Sequence, residues 1–287
     1  MNILEEIIAH KKIEVERTKE KLPFNQLKKL VRAGFQPEAG PPMAEKPAST
    51  KPASFFETIK NKIDKKQIAL IAEVKKASPS KGIIRADFNP IEIAKAYKAG
   101  GATCLSVLTD EKYFQGNLNY IKEIKEACDL PVLRKDFIID PYQIYESIYN
   151  EADCILLIVA ALEKDNFKRL FELSQEIGID VLIEIHDDRE MEIALNLVET
   201  LHATSLLGIN NRDLKTFKTD LNTTKNLVTK YKKDLKDKII ISESGIFTNE
   251  DIKSLIEYGV YAFLVGEGLM REKDIESATK KLIGTLL

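Results

Sequence analysis

The chain has 287 residues, of which 44% are hydrophobic and 31% are charged, and its formal net charge is −2. This composition is typical of a globular protein, and the interspersed 43 basic and 45 acidic residues form no basic footprint for nucleic acid or for an anionic membrane surface. Three scattered cysteines favour neither a disulfide framework nor a zinc site, and no apolar window approaches the roughly 18 residues of a membrane span, so we expect a cytoplasmic protein.

The first predicted elements are helices. Apolar residues recur at helical spacing from Ile3 to Val15, which predicts an amphipathic helix from residue 2 to about residue 20. This segment lacks the uninterrupted apolar core of a signal peptide. A second short helix is expected over Phe24 to Ala33. Five prolines between residues 36 and 52 then predict a flexible or polyproline-like linker, and a helical pattern resumes at Phe55.

From Ile68 onward, short apolar runs alternate with helical patterns. The predicted strands are Ile68–Val74, Thr103–Leu108, Val132–Lys135, Cys154–Val159, Val181–Ile185, Ser205–Ile209, Ile239–Ser242 and Ala262–Val265. The predicted helices are Ile91–Lys98, Leu118–Ala127, Tyr142–Tyr149, Lys164–Ile177, Asp188–Val198, Asn222–Lys232, Asn249–Tyr258 and Ile275–Leu286. Continuous apolar runs indicate strands that are covered on both faces, and therefore parallel strands wrapped by helices.

These eight strand–helix units predict an α/β fold, a (β/α)8 TIM barrel with an N-terminal helical extension. We expect one domain over residues 1–287, in which residues 1–60 form the extension with its Pro-rich linker and residues 61–287 form the barrel proper. The competing fold is an open doubly wound sheet. That fold would place a G-x-G-x-x-G loop after an early strand, whereas Gly266-Glu267-Gly268 is only a fragment of this pattern after the last strand.

Polar side chains lie at the ends of several predicted strands. They are Glu73, Lys75, Lys135, Glu184, Asn210 and Arg212. Side chains two apart on a strand point the same way, and the carboxyl ends of barrel strands carry the active site, so we expect this set to converge. Crowded opposite charges in a partly dry cavity shift pKa values, which suits general acid–base catalysis. A stabilising ion-pair network is the better explanation for any one of them alone, but not for the set.

A second cluster predicts an anion site. Ser244 and Gly245 follow the seventh strand, and Gly266 and Glu267 follow the eighth, where a short helix is expected to start. Barrels often bind phosphate with these two loops, although each glycine alone is better explained as a turn residue. Ser78 begins a polar loop after the first strand, which is either a lid that reaches an anion or an ordinary surface loop. No cluster favours a metal, and His186 is the only histidine near the site end of a strand.

Six segments occur in an order that matches a known family. They are Ile71–Ser80, Ser106–Asp110 followed by Tyr113–Gly116, Arg134–Ile138, Leu182–His186, Gly208–Leu214 and Ser242–Ile246. With these motifs the chain resembles the indole-3-glycerol phosphate synthases of tryptophan biosynthesis over nearly its whole length. The Pro-rich segment is longer than this family leads us to expect.

The resemblance implies a phosphorylated small-molecule substrate, 1-(2-carboxyphenylamino)-1-deoxyribulose 5-phosphate. The implied lyase reaction closes a pyrrole ring with loss of carbon dioxide and water. It requires no cofactor, because decarboxylation and dehydration restore aromaticity without electron transfer.

The resemblance also implies roles for the site residues. Lys135 would be the general acid that polarises the ketone, and Lys75 would bind the substrate carboxylate and serve as an acid in the later dehydration. Glu184 would act as acid or base. The remaining implied roles are Glu73 and Asn210 binding hydroxyls and orienting the lysines, Arg212 pairing with Glu73, and Ser244, Gly245, Gly266 and Glu267 holding the phosphate.

Two other functions are compatible with such a barrel. Phosphoribosylanthranilate isomerase and the α subunit of tryptophan synthase share the phosphate loops, but they need an Asp/Cys or Glu/Asp pair and lack the Glu-x-Lys-x-x-Ser pattern of the first strand. A barrel that binds a phosphorylated ligand as a regulatory module would need no acid–base set. We expect a monomer or weak homo-oligomer, with association to other tryptophan-pathway enzymes as the partner hypothesis.

Overall fold

The computed structural model describes residues 3–34, 54–201, 206–213 and 216–284. Within these ranges, eight parallel strands close into a barrel, because β1 pairs with β8 as well as with β2. The strands are β1 (Ala69–Val74), β2 (Cys104–Leu108), β3 (Val132–Lys135), β4 (Cys154–Ile158), β5 (Asp180–Ile185), β6 (Leu206–Asn210), β7 (Ile239–Glu243) and β8 (Ala262–Val265). The predicted barrel is confirmed.

Helices precede the barrel and cover its outside. They are α1 (Ile3–Lys21), α2 (Phe24–Arg32), α3 (Phe55–Ile63), α4 (Pro90–Ala99), α5 (Glu111–Phe114), α6 (Asn119–Ala127), α7 (Pro141–Tyr149), α8 (Lys164–Ile177), α9 (Asp188–Thr200), α10 (Asn222–Lys230), α11 (Asn249–Ile256), α12 (Glu267–Met270) and α13 (Ile275–Ile283). None of the helices in the described ranges is long and apolar enough to cross a membrane.

Local sequence determines where several helices begin and end. The Asn89 side chain accepts hydrogen bonds from the first turn of α4, and Pro90 occupies the first helical position, where a missing N–H costs nothing. Thr248 and Asp251 form a reciprocal capping box at the start of α11. Gly178 ends α8 with a φ of 82°, a left-handed conformation that glycine adopts without steric cost.

The strands are buried on both faces, as their continuous apolar runs predicted. One face contributes Ile71, Leu133 and Leu182 to the barrel interior, and the other packs against the surrounding helices. Helix α3 extends the interior core, because Phe55 and Ile59 are fully buried against these inward side chains. The Phe56 N–H donates to Asp180 Oδ2 (2.9 Å) at the first residue of β5, which places α3 at the amino-terminal end of the barrel.

The predicted elements agree with the described ones within about two residues, apart from features that the periodicity did not reveal. These are α5, the hairpin formed by Ala77–Ser78 and Gly82–Ile83, and a 3-10 turn over Val159–Ala161. Each is short, so it carries too few periodic positions to be recognised. The predicted linker over residues 36–52, the predicted strand start at Ser205 and the end of the predicted last helix lie outside the described residues.

Candidate active site

A cavity of about 1250 Å³, counting space open to solvent, lies at the carboxyl ends of the strands. All the site residues expected from sequence line it: Glu73, Lys75, Ser78, Lys135, Glu184, Asn210, Arg212, Ser244, Gly245, Gly266 and Glu267. The barrel therefore brings both predicted clusters to one mouth. Apolar side chains form another part of its wall, namely Leu108, Phe114, Phe137, Leu156 and Ile158.

Lys135 is the centre of the charged wall. It ends β3, and its Nζ lies 2.6 Å from Glu184 Oε2 and 2.6 Å from Glu243 Oε2. Burial by itself would lower the pKa of Lys135, but the surrounding carboxylates of Glu184, Glu243 and Glu73 outweigh it and raise the pKa. Lys135 is therefore an ammonium at neutral pH, and it can donate a hydrogen bond to an oxygen that enters the cavity.

Glu184 is held as an anion. Its Oε1 lies 3.2 Å from His186 Nε2 and accepts a 3.2 Å hydrogen bond from Asn210 Nδ2, while its Oε2 contacts Lys135. Burial would raise the pKa of Glu184, but Lys135 and His186 lower it below its ordinary value. His186 is partly buried, which by itself lowers its pKa, yet its contacts with the carboxylates of Glu184 and Glu190 raise the pKa to about 10.

Glu243 belongs to this cluster, although the sequence analysis assigned it no role. It ends β7, so the signal used for the other strand ends was present. Burial, opposed by Lys135 but assisted by the like charges of Glu184 and Glu73, raises the pKa of Glu243 to about 7. Its buried Oε1 has no hydrogen-bond partner in the described part of the chain. Gly208 makes room for this oxygen, because a Cβ there would lie 2.1 Å from it.

Glu73 and Lys75 act as a pair, as their spacing predicted. Lys75 Nζ donates to Glu73 Oε1, and both side chains line the cavity. Gly266 is required opposite them, because a Cβ at Gly266 would lie 2.2 Å from the same Glu73 oxygen. The glycine after β8 therefore serves the charged cluster as well as the loop that contains it.

The expected pairing of Arg212 with Glu73 is wrong. Arg212 Nη2 lies 3.4 Å from Glu267 Oε2, and Nη1 donates to the Phe217 carbonyl at 3.0 Å. Lys75 already occupies Glu73, whereas Glu267, the first residue of α12, is within reach of the segment after β6. Asn210, which was expected to orient the lysines, donates to Glu184.

The loops after β1 and β7 form the rim. Ser244 and Gly245 have φ values of 66° and 76°, so two consecutive residues adopt the left-handed conformation. Ser78 lies in the hairpin after β1, and it lines the cavity together with Pro79 and Ser80. Among the described residues, no group of three or more His, Cys, Asp or Glu side chains could hold a metal ion.

Helix α1 forms part of the cavity wall, which the sequence analysis did not anticipate. Ile3, Leu4 and Ile7 line the cavity. Lys11, one turn after Ile7, is fully buried, and its Nζ lies 2.9 Å from Asp110 Oδ2 and 2.9 Å from Asp136 Oδ1. A signal was present, because a lysine that interrupts the apolar stripe of a helix needs a buried partner.

The sequence matches a family model described as indole-3-glycerol phosphate synthase over residues 4–282. Two curated relatives carry the same name. The protein of Polynucleobacter asymbioticus is 44% identical over 281 residues, and that of Polynucleobacter necessarius subsp. necessarius is 45% identical over 281 residues. Each alignment covers 98% of this chain and 98% of the relative.

Solved structures of other enzymes share the fold. KGPDC from Streptococcus mutans superposes with a TM-score of 0.56 at 13% identity, covering 75% of this chain and 96% of that one. The 3-hexulose-6-phosphate synthase of Salmonella typhimurium superposes with a TM-score of 0.55 at 15% identity, covering 75% and 97%. At this level of identity, the likeness shows the barrel fold alone.

Proposed function

The chain belongs to the indole-3-glycerol phosphate synthase family, and from that premise we propose which of its residues bind the substrate and perform the chemistry. Membership makes the protein a lyase of tryptophan biosynthesis. The substrate is a ketose phosphate joined through nitrogen to a 2-carboxyphenyl ring. The ring carbon that bears the carboxylate attacks the ketone carbon, carbon dioxide leaves, and loss of water completes the pyrrole.

We propose that Lys135 is the general acid of ring closure. As the new carbon–carbon bond forms, the ketone oxygen becomes an alkoxide that needs a proton and a nearby positive charge. The observation that supports this role is the position of Lys135 Nζ in the cavity, 2.6 Å from two glutamate side chains that keep it charged. The ammonium would exchange part of this ion pairing for the substrate oxygen.

The pKa values of the two carboxyl groups beside Lys135 are shifted in opposite directions from the ordinary value of a glutamate, which supports different roles for them. Glu184 is anionic because its pKa is lowered, so we propose that it accepts the proton lost when the pyrrole becomes aromatic. Glu243, with a pKa raised to about 7, can retain a proton near neutral pH. It would therefore return a proton to Lys135 or to the departing hydroxyl.

Lys75 is proposed to bind the substrate carboxylate before it leaves as carbon dioxide and to assist the later dehydration. Its ion pair with Glu73 keeps the ammonium in the cavity. Glu73 and Asn210 would bind the hydroxyl groups of the ketose chain. The apolar wall that includes Phe114 and Phe137 suits the aromatic ring of the substrate.

The phosphate is proposed to lie at the rim that the loops after β7 and β8 form. Ser244, Gly245, Gly266 and Glu267 would hold it mainly through backbone N–H groups, with Arg212 as the nearby cation and Ser78 contributing its hydroxyl. The left-handed backbone at Ser244 and Gly245 supports this assignment, because such turns expose successive N–H groups to an anion.

The wider setting is also a proposal. We infer a cytoplasmic enzyme that needs no cofactor, acts as a monomer or weak homo-oligomer and associates with other tryptophan-pathway enzymes. We propose one domain with an extension over residues 1–60 and a barrel over residues 61–287, and α3 spans the boundary between them.

Replacing Lys135 by alanine tests the central role. Turnover, followed by indole absorbance, should fall by at least about 10² because the proton donor is lost. Lys125 provides a matched control. It pairs with Asp153 (2.7 Å) and does not line the cavity, so Lys125→Ala should keep turnover within about twofold. Near-normal turnover in Lys135→Ala would refute the assignment.

Substituting Glu184 by glutamine tests the proposed base. The change should lower kcat more than it raises KM, because the lost interaction belongs to the transition state. Inorganic phosphate should compete with the substrate if the rim binds the phosphate group. An effect of Glu184→Gln confined to KM, or inhibition by phosphate that is not competitive, would contradict the respective assignment.

A further inference from the structure

Asn211 is a buried polar residue beside the site that the mechanism above does not use. It follows β6 immediately and is 2% exposed. Its neighbour Asn210 lines the cavity, whereas Asn211 is not among the lining residues. Consecutive side chains of an extended segment point to opposite faces. The Asn210 side chain therefore faces the cavity, and the Asn211 side chain faces the protein interior beside it.

The side-chain amide of Asn211 holds the end of β7. Its Nδ2 lies 2.9 Å from Ser242 Oγ, 3.0 Å from the Glu243 carbonyl oxygen and 3.1 Å from the Ser244 carbonyl oxygen. The backbone N–H of Asn211 donates to the same Glu243 carbonyl at 2.9 Å. Three consecutive residues are therefore fixed by one neighbour, and two of them line the cavity.

The orientation of this amide is itself determined by α10. Asn211 Oδ1 accepts hydrogen bonds from Thr224 N (3.1 Å) and Thr224 Oγ1 (2.8 Å). A backbone N–H can only donate, so the oxygen must face Thr224 and the NH2 group must face β7. Thr224 is fully buried, and its hydroxyl also lies 2.9 Å from Ser242 Oγ. Asn211, Thr224 and Ser242 are all buried, and buried networks whose groups are mutually hydrogen-bonded favour a single geometry.

The segment that Asn211 holds needs such support. Ser244 has a φ of 66°, a conformation that is unfavourable for a residue with a Cβ and that persists only where its surroundings enforce it. The Ser244 carbonyl is the third acceptor of Asn211 Nδ2. Glu243, one residue earlier, directs its carboxylate to Lys135. A single residue thus fixes the backbone of Glu243 and of the proposed phosphate turn.

We propose that Asn211 is a positioning residue that aligns the Glu243 carboxylate with Lys135 and holds Ser244 and Gly245 in the conformation that binds the substrate phosphate. This inference rests on the proposed function, since it deepens the role of that site. Its physical content is that the anion-binding turn and the proton-holding carboxylate are controlled by the same hydrogen bonds.

The test is Asn211→Ala, with three measurements on the full-length protein. Calorimetry with inorganic phosphate gives its Kd, steady-state kinetics give KM and kcat, and urea unfolding gives stability. We expect the phosphate Kd and the KM each to rise roughly tenfold and kcat to fall roughly tenfold, because two or three hydrogen bonds that hold the turn are lost.

Asn150→Ala is the matched control. Asn150 is also buried, and its Nδ2 donates to the Glu146 carbonyl at 2.8 Å, but it lies at the end of α7 and outside the cavity lining. It should lose stability while keeping the phosphate Kd and the kinetic constants of the wild type. If Asn211→Ala changes only stability, as Asn150→Ala does, the inference is overturned.

If Asn211→Ala does not fold, the inference can be tested with Thr224→Val instead. It removes the hydroxyl that holds Asn211 Oδ1 but retains the shape of the side chain. We expect the same pattern at roughly twofold to fivefold, and an unchanged phosphate Kd in this variant would overturn the inference. Failure of the proposed function is distinguishable, because then the wild type itself would form no product or bind no phosphate.

Discussion

Replacing Lys11 by methionine removes the cation that two buried carboxylates share. Lys11, Asp110 and Asp136 are each at most 3% exposed, and both oxygens lie 2.9 Å from the ammonium. Removal of one member of a buried ion pair typically costs about 3–5 kcal/mol, because the remaining charge stays buried with less compensation. Asp110 loses the ammonium, whereas Asp136 keeps Arg134 Nη2 at 3.1 Å. At about 2–4 °C per kcal/mol, the midpoint of thermal unfolding should fall by roughly 6–20 °C.

A control variant comes from the same helix. Lys19 pairs with Glu16 and Asp140, but its side chain is 25% exposed, so Lys19→Met should cost less than about 1 kcal/mol. Both variants remove an ion-paired lysine from α1 with the same substitution. A comparison of their stabilities, measured by urea and thermal unfolding, therefore reports the effect of burial on the ion pair.

The pH dependence sharpens the comparison. Burial would raise the pKa of Asp136, but Lys11 and Arg134 hold it well below its ordinary value. Such a carboxylate stabilises the fold above the unfolded pKa, near 4, and this contribution is lost as the pH falls further. Without Lys11, the pKa of Asp136 is lowered less, so the stability difference from wild type should shrink as the pH falls below about 4. Equal losses in the two variants, or a difference that acid leaves unchanged, would refute the reasoning.

Three further outcomes are expected. The pKa of Glu243 is raised to about 7, so its contribution to stability is complete below about pH 4.5 and is lost as the pH rises through 7. Over that range, the free energy of unfolding of the wild type should fall by about 3 kcal/mol relative to that of Glu243→Gln. If the unfolding free energies of the two proteins depend on pH in the same way, the pKa of Glu243 is not raised. Gly266→Ala places a Cβ 2.2 Å from Glu73 Oε1, so kcat should fall roughly tenfold, and unchanged kinetics would show that Glu73 has room to move. His186→Gln removes a positive charge that lowers the pKa of Glu184, so the acid limb of the pH profile of kcat/KM should move to higher pH. An acid limb at the wild-type pH would show that His186 does not control the pKa of the proposed base.

The sequence alone determined the barrel and most of the polar residues of its mouth. Strands buried on both faces must be apolar throughout, so the residue at which each run stops, such as Lys135 or Glu184, is visible without coordinates. The six ordered motifs added the chemistry of the family. Helix caps and continuous apolar runs depend only on residues that are close in sequence, which explains why the positions of helices and strands were predictable.

Only the tertiary structure determines which charged side chains form ion pairs with each other. Lys135 and Glu243 are 108 residues apart in sequence, and their contact depends on the closure of the barrel. The same holds for Arg212, whose partner is Glu267, and for Lys11, whose burial depends on how α1 docks beside the mouth. Pairing and desolvation are long-range properties, and they set the opposite pKa shifts of Glu184 and Glu243 on which the proposed division between base and acid rests.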